Sequence, residues 1–405
     1  MKNALSLTIS MLAIGLSSAA PTYAADEADS ITAAISGGDA SVALRYRYEY
    51  VNQDETGGGT KEANASTLKT RVTYKTLPYK NLSGTLQFDN LSTVIEDGYN
   101  DGSGINQDAN QAAIVDATYT EVNQAYLDYA APADTVLRYG RQAITMDNLR
   151  FVGGVEWRQN EQTYDAITLI NKSLPDTNIR LSHIFTVNNI KGGNEILGGT
   201  PGKGNQLFHI NNKSVEGLSL SAYAYLLENQ NDTIGIRATG KVDLDQITAL
   251  YTAEYASQET DDAAENEMDY INLEAGLKVS GITAKLGYES LGSDDGNASF
   301  STPLATKHKF NGWADMFLAT PAQGLVDSTL TVSTKEFGPK IAVIYHQFDS
   351  DEGSIDFGSE IDLVIAKKLD KNYSGLLKFA SFSEGDTGYG KPDTNKVWLQ
   401  LLAKF

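Results

Sequence analysis

The 405-residue sequence contains no cysteine. That excludes a disulfide framework and an N-terminal lipid-modified cysteine. Proline is scarce, with nine in the whole chain. No linker or low-complexity tract divides the sequence, so it reads as one domain. After residue 24 no apolar run is long enough to cross a bilayer as a helix. Basic residues are in deficit: 32 Lys and Arg against 52 Asp and Glu, a formal net charge of −20. A nucleic-acid partner calls for a basic surface, so that class is excluded. There are only four histidines, at 183, 209, 308 and 346. No HExxH, GxSxG or P-loop motif is present.

The two ends of the chain carry the first positive signals. Met1-Lys2-Asn3 is a short basic start, Ala4 to Leu16 is apolar, and Thr22-Tyr23-Ala24 closes the segment. This predicts a secretory signal peptide over 1–24, a short N-terminal periplasmic segment over 25–39 and one domain over 40–405. At the other end Val397, Leu399, Leu401, Ala403 and Phe405 share one face, and Lys396, Gln400 and Lys404 the other. A greasy face, a polar face and a terminal Phe405 resemble the closing strand of bacterial outer-membrane barrels. The resemblance implies recognition of Phe405 by barrel-assembly machinery.

Period-two alternation runs along the rest. Val42, Leu44, Tyr46, Tyr48 and Tyr50 oppose Arg45, Arg47 and Glu49, and Ile271, Leu273 and Leu277 oppose Asn272, Glu274 and Lys278. A charged face cannot meet lipid, where each charge costs ~2–4 kcal/mol at the midplane. It must face a wet lumen. The negative mean hydropathy agrees, since only alternate residues meet lipid. Tight turns alternate with long polar loops near 51–64, 95–119, 145–162, 189–205, 258–267, 291–324, 349–358 and 383–393. The expectation is an all-β transmembrane antiparallel barrel of about eighteen strands, with both termini in the periplasm of a Gram-negative cell. Sixteen is the alternative if 163–171 and 206–212 are not strands. Either size predicts an aqueous channel rather than a packed interior.

Inward positions nominate the pore lining: Arg45, Arg47, Lys69, Arg71, Arg138, Arg180, Arg237 and Lys285, with Glu49, Asp128 and Glu289. Loops 145–162 and 291–324 are rich in aromatics, which suits loops that pack on themselves or fold into the mouth. Phe300 and Phe310 read as loop core. Arg150, Trp157, Arg158, His308 and Trp313 are candidates for a constriction, with Trp157 and Trp313 placed to stack on sugar rings. Acids gather in the loops, and Asp349, Asp351 and Glu360 have some of the spacing of a calcium loop without its flanking helices. No cofactor is expected beyond a loosely bound Ca²⁺ there.

Three segments are similar to the alginate-export family of outer-membrane barrels. The first is Gly140-Arg141-Gln142 followed by Arg150, Trp157 and Asp165-Ala166. The second is Glu254-Tyr255-Ala256 with Gln258. The third, and most specific, is Thr302-Pro-Leu-Ala-Thr-Lys-His308-Lys-Phe-Asn-Gly-Trp313-Ala-Asp315. Tyr345-His346, Phe348 and Gly358–Asp362 fit too. The resemblance implies a monomeric eighteen-stranded barrel with a lumen rich in Arg and Lys, to which Arg45, Arg71, Arg138 and Arg141 would contribute. Strict alternation puts Arg141 on the face of Leu137 and Tyr139, so an inward Arg141 needs a twist or bulge near Gly140. Glu161 and Gln162 stand where the family often has Arg.

The functional expectation is a porin-like outer-membrane channel, without catalysis, for small hydrophilic solutes such as saccharides or organic anions. Its partners are outer-membrane lipid and lipopolysaccharide, and a monomer is favoured over a trimer. Export of an acidic exopolysaccharide is the alternative that the resemblance implies. A second alternative is an outer-membrane hydrolase in which Ser, His and Asp converge at the barrel rim.

Overall fold

The computed structural model describes residues 27–55, 58–95, 98–102, 108–191, 194–195, 204–386 and 388–405. The signal-peptide prediction lies outside these residues. A short helix, α1 (Ile31–Ser36), comes first, with the Ser30 hydroxyl accepting from Ala33 N as its N-cap. Eighteen long strands follow. They are β1 (Asp39–Asp54), β2 (Thr60–Lys75), β3 (Leu82–Ile95), β4 (Tyr119–Ala131), β5 (Thr135–Gln142), β6 (Thr163–Asn171), β7 (Thr177–Asn188), β8 (Asn205–Asn212) and β9 (Leu218–Leu227). The second half comprises β10 (Asn231–Leu244), β11 (Ile247–Thr260), β12 (Glu267–Val279), β13 (Ile282–Leu291), β14 (Leu325–Thr334), β15 (Lys340–Asp349), β16 (Asp356–Lys368), β17 (Tyr373–Glu384) and β18 (Thr394–Lys404). Both strands in doubt, β6 and β8, are present.

Each strand pairs antiparallel with the next, and β18 pairs back with β1 from Ala43↔Lys404 to Gln53↔Thr394. The seam is completed by Val42 and Phe405, which exchange two backbone hydrogen bonds of 2.9 Å. The sheet is therefore a closed barrel, the only sheet form whose backbone is fully satisfied in lipid.

The connections explain the orientation. At one end the turns are tight, and Lys80-Asn81, Ala133-Asp134 and Ser280-Gly281 each have two successive residues at positive φ, the twist-matched hairpin geometry. A turn at 172–176, which the sequence pattern did not mark, belongs to this end. The described parts of the 96–118 connection, and the long connections 143–162 and 292–324, lie at the other end, together with a tight link at 228–230 that also went unmarked.

The two faces separate as alternation requires. Outward Ile234 and Leu286 are each 64% exposed, whereas inward Arg47 is 1% and Glu49 and Asp89 are 0% exposed. Apolar side chains left open on the outside of a closed barrel match a lipid environment.

The interior corrects one expectation. It is packed, not simply water-filled, toward the long-loop end. Ile144, Met146, Phe151 and Val152 of the 143–162 loop meet Phe300, Leu304, Ala314 and Phe317 of the 292–324 loop. Both press on wall residues Tyr223, Tyr225, Tyr270, Phe348, Phe382 and Trp398. A smaller cluster packs Tyr99, Ala112 and Ile114 of the 96–118 loop on Val51, Ala63 and Ala65. Three loops thus fold into the barrel because their apolar side chains find inward wall positions that are apolar too.

Gly140 sits within β5 at φ +125, and a Cβ there would lie 2.3 Å from Ala125 O and 2.9 Å from Tyr126 Cα. Both obstacles are backbone, so neither can yield. Gly140→Ala is expected to cost about 1–3 kcal/mol from the strained backbone alone. It should lower the temperature of the heat-induced gel-mobility shift, and an unshifted transition would refute the strain.

Candidate functional site

The inward face of four adjacent strands, β17, β18, β1 and β2, carries six buried cations: Lys378, Lys396, Arg45, Arg47, Lys69 and Arg71. Arg45 and Lys69 are direct cross-strand partners, an arrangement that repels unless anions intervene. They do. Asp89 on β3 receives Arg71 through two hydrogen bonds of 2.7 and 2.5 Å and lies 3.0 Å from Lys69. Glu161, from the 143–162 loop, lies 2.9 Å from Arg71 and 3.2 Å from Lys69 and also accepts from Asn123 at 3.3 Å. Burial opposes the charge on Glu161, but Arg71, Lys69 and Arg45 outweigh it and hold the carboxyl well below its usual range.

Arg45 does not face open water. Its guanidinium donates to Gln159 Oε1 at 2.7 Å and to the backbone carbonyls of Glu156 at 2.8 Å and Arg158 at 2.5 Å. It therefore grips the loop by its main chain. Arg47 donates to Gln400 at 2.8 Å, lies 3.7 Å from Asp116 of the 96–118 loop, and covers the Trp157 ring at 4.1 Å. Arg158 reaches back from the loop to Glu49 on β1, at 3.1 Å, and to Asp315 of the 292–324 loop, at 3.1 Å. Wall and loops exchange charges in both directions.

All three tryptophans of the chain meet around one amine. Lys378 Nζ lies 3.7 Å from the ring centre of Trp313, 4.1 Å from that of Trp157 and 5.2 Å from that of Trp398, within cation–π range of each. It also lies 2.6 Å from His308 Nε2, and His308 Nδ1 lies 2.6 Å from Asp315. His308 stacks on Trp157 with centroids 4.6 Å apart and planes 6° from parallel. Asp315 also accepts from Lys396 at 2.9 Å. Burial and then Lys378 and Arg158 hold His308 well below its ordinary value of 6.5, against the pull of Asp315. A neutral imidazole donating from Nδ1 to Asp315 and accepting from Lys378 at Nε2 satisfies both contacts. Burial would raise the Asp315 carboxyl, but His308, Lys396 and Arg158 hold it well below the carboxylate range.

The constriction candidates Arg150, Trp157, Arg158, His308 and Trp313 are thus all drawn into the interior. Arg150 donates to Glu289 on β13 at 2.8 and 3.2 Å and to Asn311 at 3.0 Å. Trp157 is engaged by His308, Arg47 and Lys378, and Trp313 by Lys378, so in this docked state the rings serve loop packing. Phe300 is buried core as expected, while Phe310 lies 4.9 Å beneath the Arg150 guanidinium.

The remaining wall residues form local pairs. Arg138 donates to Asp128 at 2.7 and 2.9 Å, Arg237 to Glu254 at 2.5 Å and Lys285 to Glu274 at 2.9 Å. Arg180 donates to the Thr145 carbonyl at 2.9 Å, another grip on a loop main chain. Arg141 does not line the lumen. It pairs with Asp165 at 2.8 Å, between inward Tyr164 and Ala166. Gly140 is strained, but Gln142 beyond it returns to the inward side beside Arg138, so alternation survives and Arg141 stays outside.

Sequence reasoning did not bring together Asp116, Glu156, Gln159, Glu161, Asp315, Lys378 and Lys396. Lys378 and Lys396 were readable as inward by parity, and Asp315 lies in the 302–315 run. Their partners are more than 60 residues away in sequence, and no local signal links them.

The calcium-like spacing does not converge. Asp351 accepts from Ser290 Oγ and Ser293 N, each at 3.1 Å, whereas Glu360 points into the lumen and accepts from Ala314 N at 2.8 Å. Among the described residues no group of three or more His, Asp or Glu side chains is arranged to hold a metal. One Ser, His and Asp set does meet: Ser221 Oγ donates to Asp147 at 2.7 Å and His209 lies 2.9 Å from the same carboxylate. The carboxylate sits in the middle, so the imidazole is not placed to activate the hydroxyl. His346 pairs with Asp327 on the wall at 2.9 Å.

Residues 39–178 match the family model described as alginate export. The match covers β1 to the start of β7 and stops short of the 302–315 run. No curated protein matches the chain. Solved structures do match in fold. OccK9 (OpdG) of Pseudomonas aeruginosa is 13% identical with a TM-score of 0.72, over 92% of this chain and all of that one. The outer membrane protein OpdK of the same organism is 14% identical with a TM-score of 0.66, over 91% of this chain and 98% of its own. OccAB4 of Acinetobacter baumannii is 11% identical with a TM-score of 0.68, over 91% and 98%.

Two outcomes follow from the docking geometry. Arg158→Ala leaves Glu49 and Asp315 with a lost buried partner, a change worth about 3–5 kcal/mol. The 143–162 loop should then become sensitive to protease in the folded barrel, and a wild-type digestion pattern would count against the bridge. Acid should act in the same direction. A depressed His308 resists protonation while docked, so docking weakens once pH falls below 6.5. Depressed Asp315 and Glu161 hold their contribution above the ordinary carboxylate range and lose it as pH falls through their folded values. Limited proteolysis with an acid-active protease should find the 143–162 loop more accessible on acidification; flat or falling accessibility would contradict this sign.

Proposed function

We propose that this barrel is an outer-membrane channel that passes small hydrophilic solutes, saccharides or organic anions, passively and without catalysis. The observation that carries the reading is a charged inner wall closed at one end by loops held through ion pairs rather than through strand pairing. Such loops can withdraw without opening the barrel. When they do, Asp116, Glu161 and Asp315 leave with them, and the six buried wall cations keep four carboxylate neighbours: Glu49 on β1, Asp89 on β3, and Glu360 and Asp362 on β16 beside Lys378. The open lumen then favours anions. The outer-membrane location is supported by the apolar outer face and by the shared fold with OpdK. Lipopolysaccharide, barrel-assembly machinery acting on Phe405, and a monomeric state complete the proposal.

Export of an acidic polysaccharide is the second reading, favoured by the alginate-export match over 39–178 and by the basic strip. Channel block by neutral oligosaccharides against mannuronate oligomers separates the two. Block by the acidic series alone would favour the exporter.

Liposome swelling with a graded solute series tests the channel itself, and permeability no greater than that of empty liposomes would sink it. Neutralising Arg45, Arg47, Lys69 and Arg71 together should move the reversal potential under a salt gradient away from anion preference. An unmoved potential would leave these residues with the structural role alone.

A further inference from the structure

We infer that helix α1 is a membrane-surface anchor whose Ile31 and Ile35 side chains insert at the headgroup–acyl boundary of the periplasmic leaflet. The inference rests on the reading of the barrel as membrane-embedded.

Helix α1 is held at the short-turn end of the barrel. Leu77 N donates to Ala34 O at 3.1 Å and Ala28 N to Pro78 O at 2.8 Å. The Tyr74 hydroxyl donates to the Ile35 carbonyl. Tyr74 alternates with inward Arg71 and Thr73, so it lies on the outer face with Val72, and it pairs with outward Leu86. The helix therefore packs against the lipid-facing side of β2, not beneath the lumen.

Its faces divide by direction. Ala34 is buried against the barrel, while Ile31 is 64% and Ile35 55% exposed. At ~100° per residue the two isoleucines lie roughly 40° apart on one stripe. Thr32 and Ser36 lie about 100° further round, away from Ala34. The sequence Ile-Thr-Ala-Ala-Ile-Ser carries no charge. The isoleucine stripe also continues the outer apolar belt through Val42 and Leu82, the outward residues at the same ends of β1 and β3. A bilayer is the occupant that covers belt and stripe together, and an uncharged helix with apolar and hydroxyl faces suits the plane of that boundary.

The cysteine-free chain permits single spin labels at Ile31→Cys, Ile35→Cys, Thr32→Cys and Phe88→Cys in proteoliposomes. Phe88 is an outward belt position on β3. Labels at 31, 35 and 88 should collide more with oxygen than with a water-soluble nickel complex, and the order should reverse at 32. If 88 is lipid-like while 31 and 35 behave as 32 does, the anchor is overturned and the barrel reading stands. If 88 is also water-like, the membrane reading fails and takes the anchor with it.

Discussion

The structure depends on one constraint: a sheet in lipid has no water to satisfy its edges. Pairing of β18 with β1 removes both edges, and the exchange between Val42 and Phe405 carries it to the last residue. Once the sheet closes, strict alternation divides every strand between two environments. Val72 can then be 43% exposed while Arg71, the next residue along β2, is sealed at 4%.

Closure creates a second problem inside. The inward side of β17, β18, β1 and β2 concentrates like charge, and the three infolded loops supply much of the neutralisation. Glu161, Asp116 and Asp315 come from three different loops, and Arg158 returns a cation to Glu49. Buried ion pairs add little net stability, yet losing one partner is costly. Loops attached in this way are firmly placed while every pair is intact and are weakened when one partner is lost. That is a suitable physical basis for the gating proposed above. The apolar contacts of Phe151, Phe300 and Phe317 supply the undirected part of the attachment, and the charges set its register.

Much of the fold was legible because β1, β2, β12 and β13 contrast an apolar with a charged face. The contrast fades where loops cover the wall. In β6 the inward residues Tyr164, Ala166 and Ile170 are themselves apolar because they meet loops, and β8 has buried Leu207 alternating with exposed Phe208 and Ile210. Those two strands were the doubtful ones for this reason. The same fact explains the packed interior, which a lumen expected to be wet did not foresee. Parity alone turned Arg45, Arg47, Lys69 and Arg71 inward, where the structure has them buried, whereas Arg141, expected to line the pore on the strength of the resemblance, stays on the outer face as strict alternation had it. Pairings such as Arg158 with Glu49 or Lys378 with His308 depend on how loops fall back into the barrel, and no local pattern encodes that.

The convergence of Trp157, Trp313 and Trp398 on Lys378 has an optical consequence. Indole emission depends on the polarity around the ring and is quenched by nearby charged and imidazole groups. Here every indole of the protein adjoins the point where two loops meet the wall. The whole tryptophan emission of the molecule therefore originates at a single mechanical junction. Its colour and lifetime follow the attachment of the loops without any added dye, in detergent or in vesicles of the purified protein.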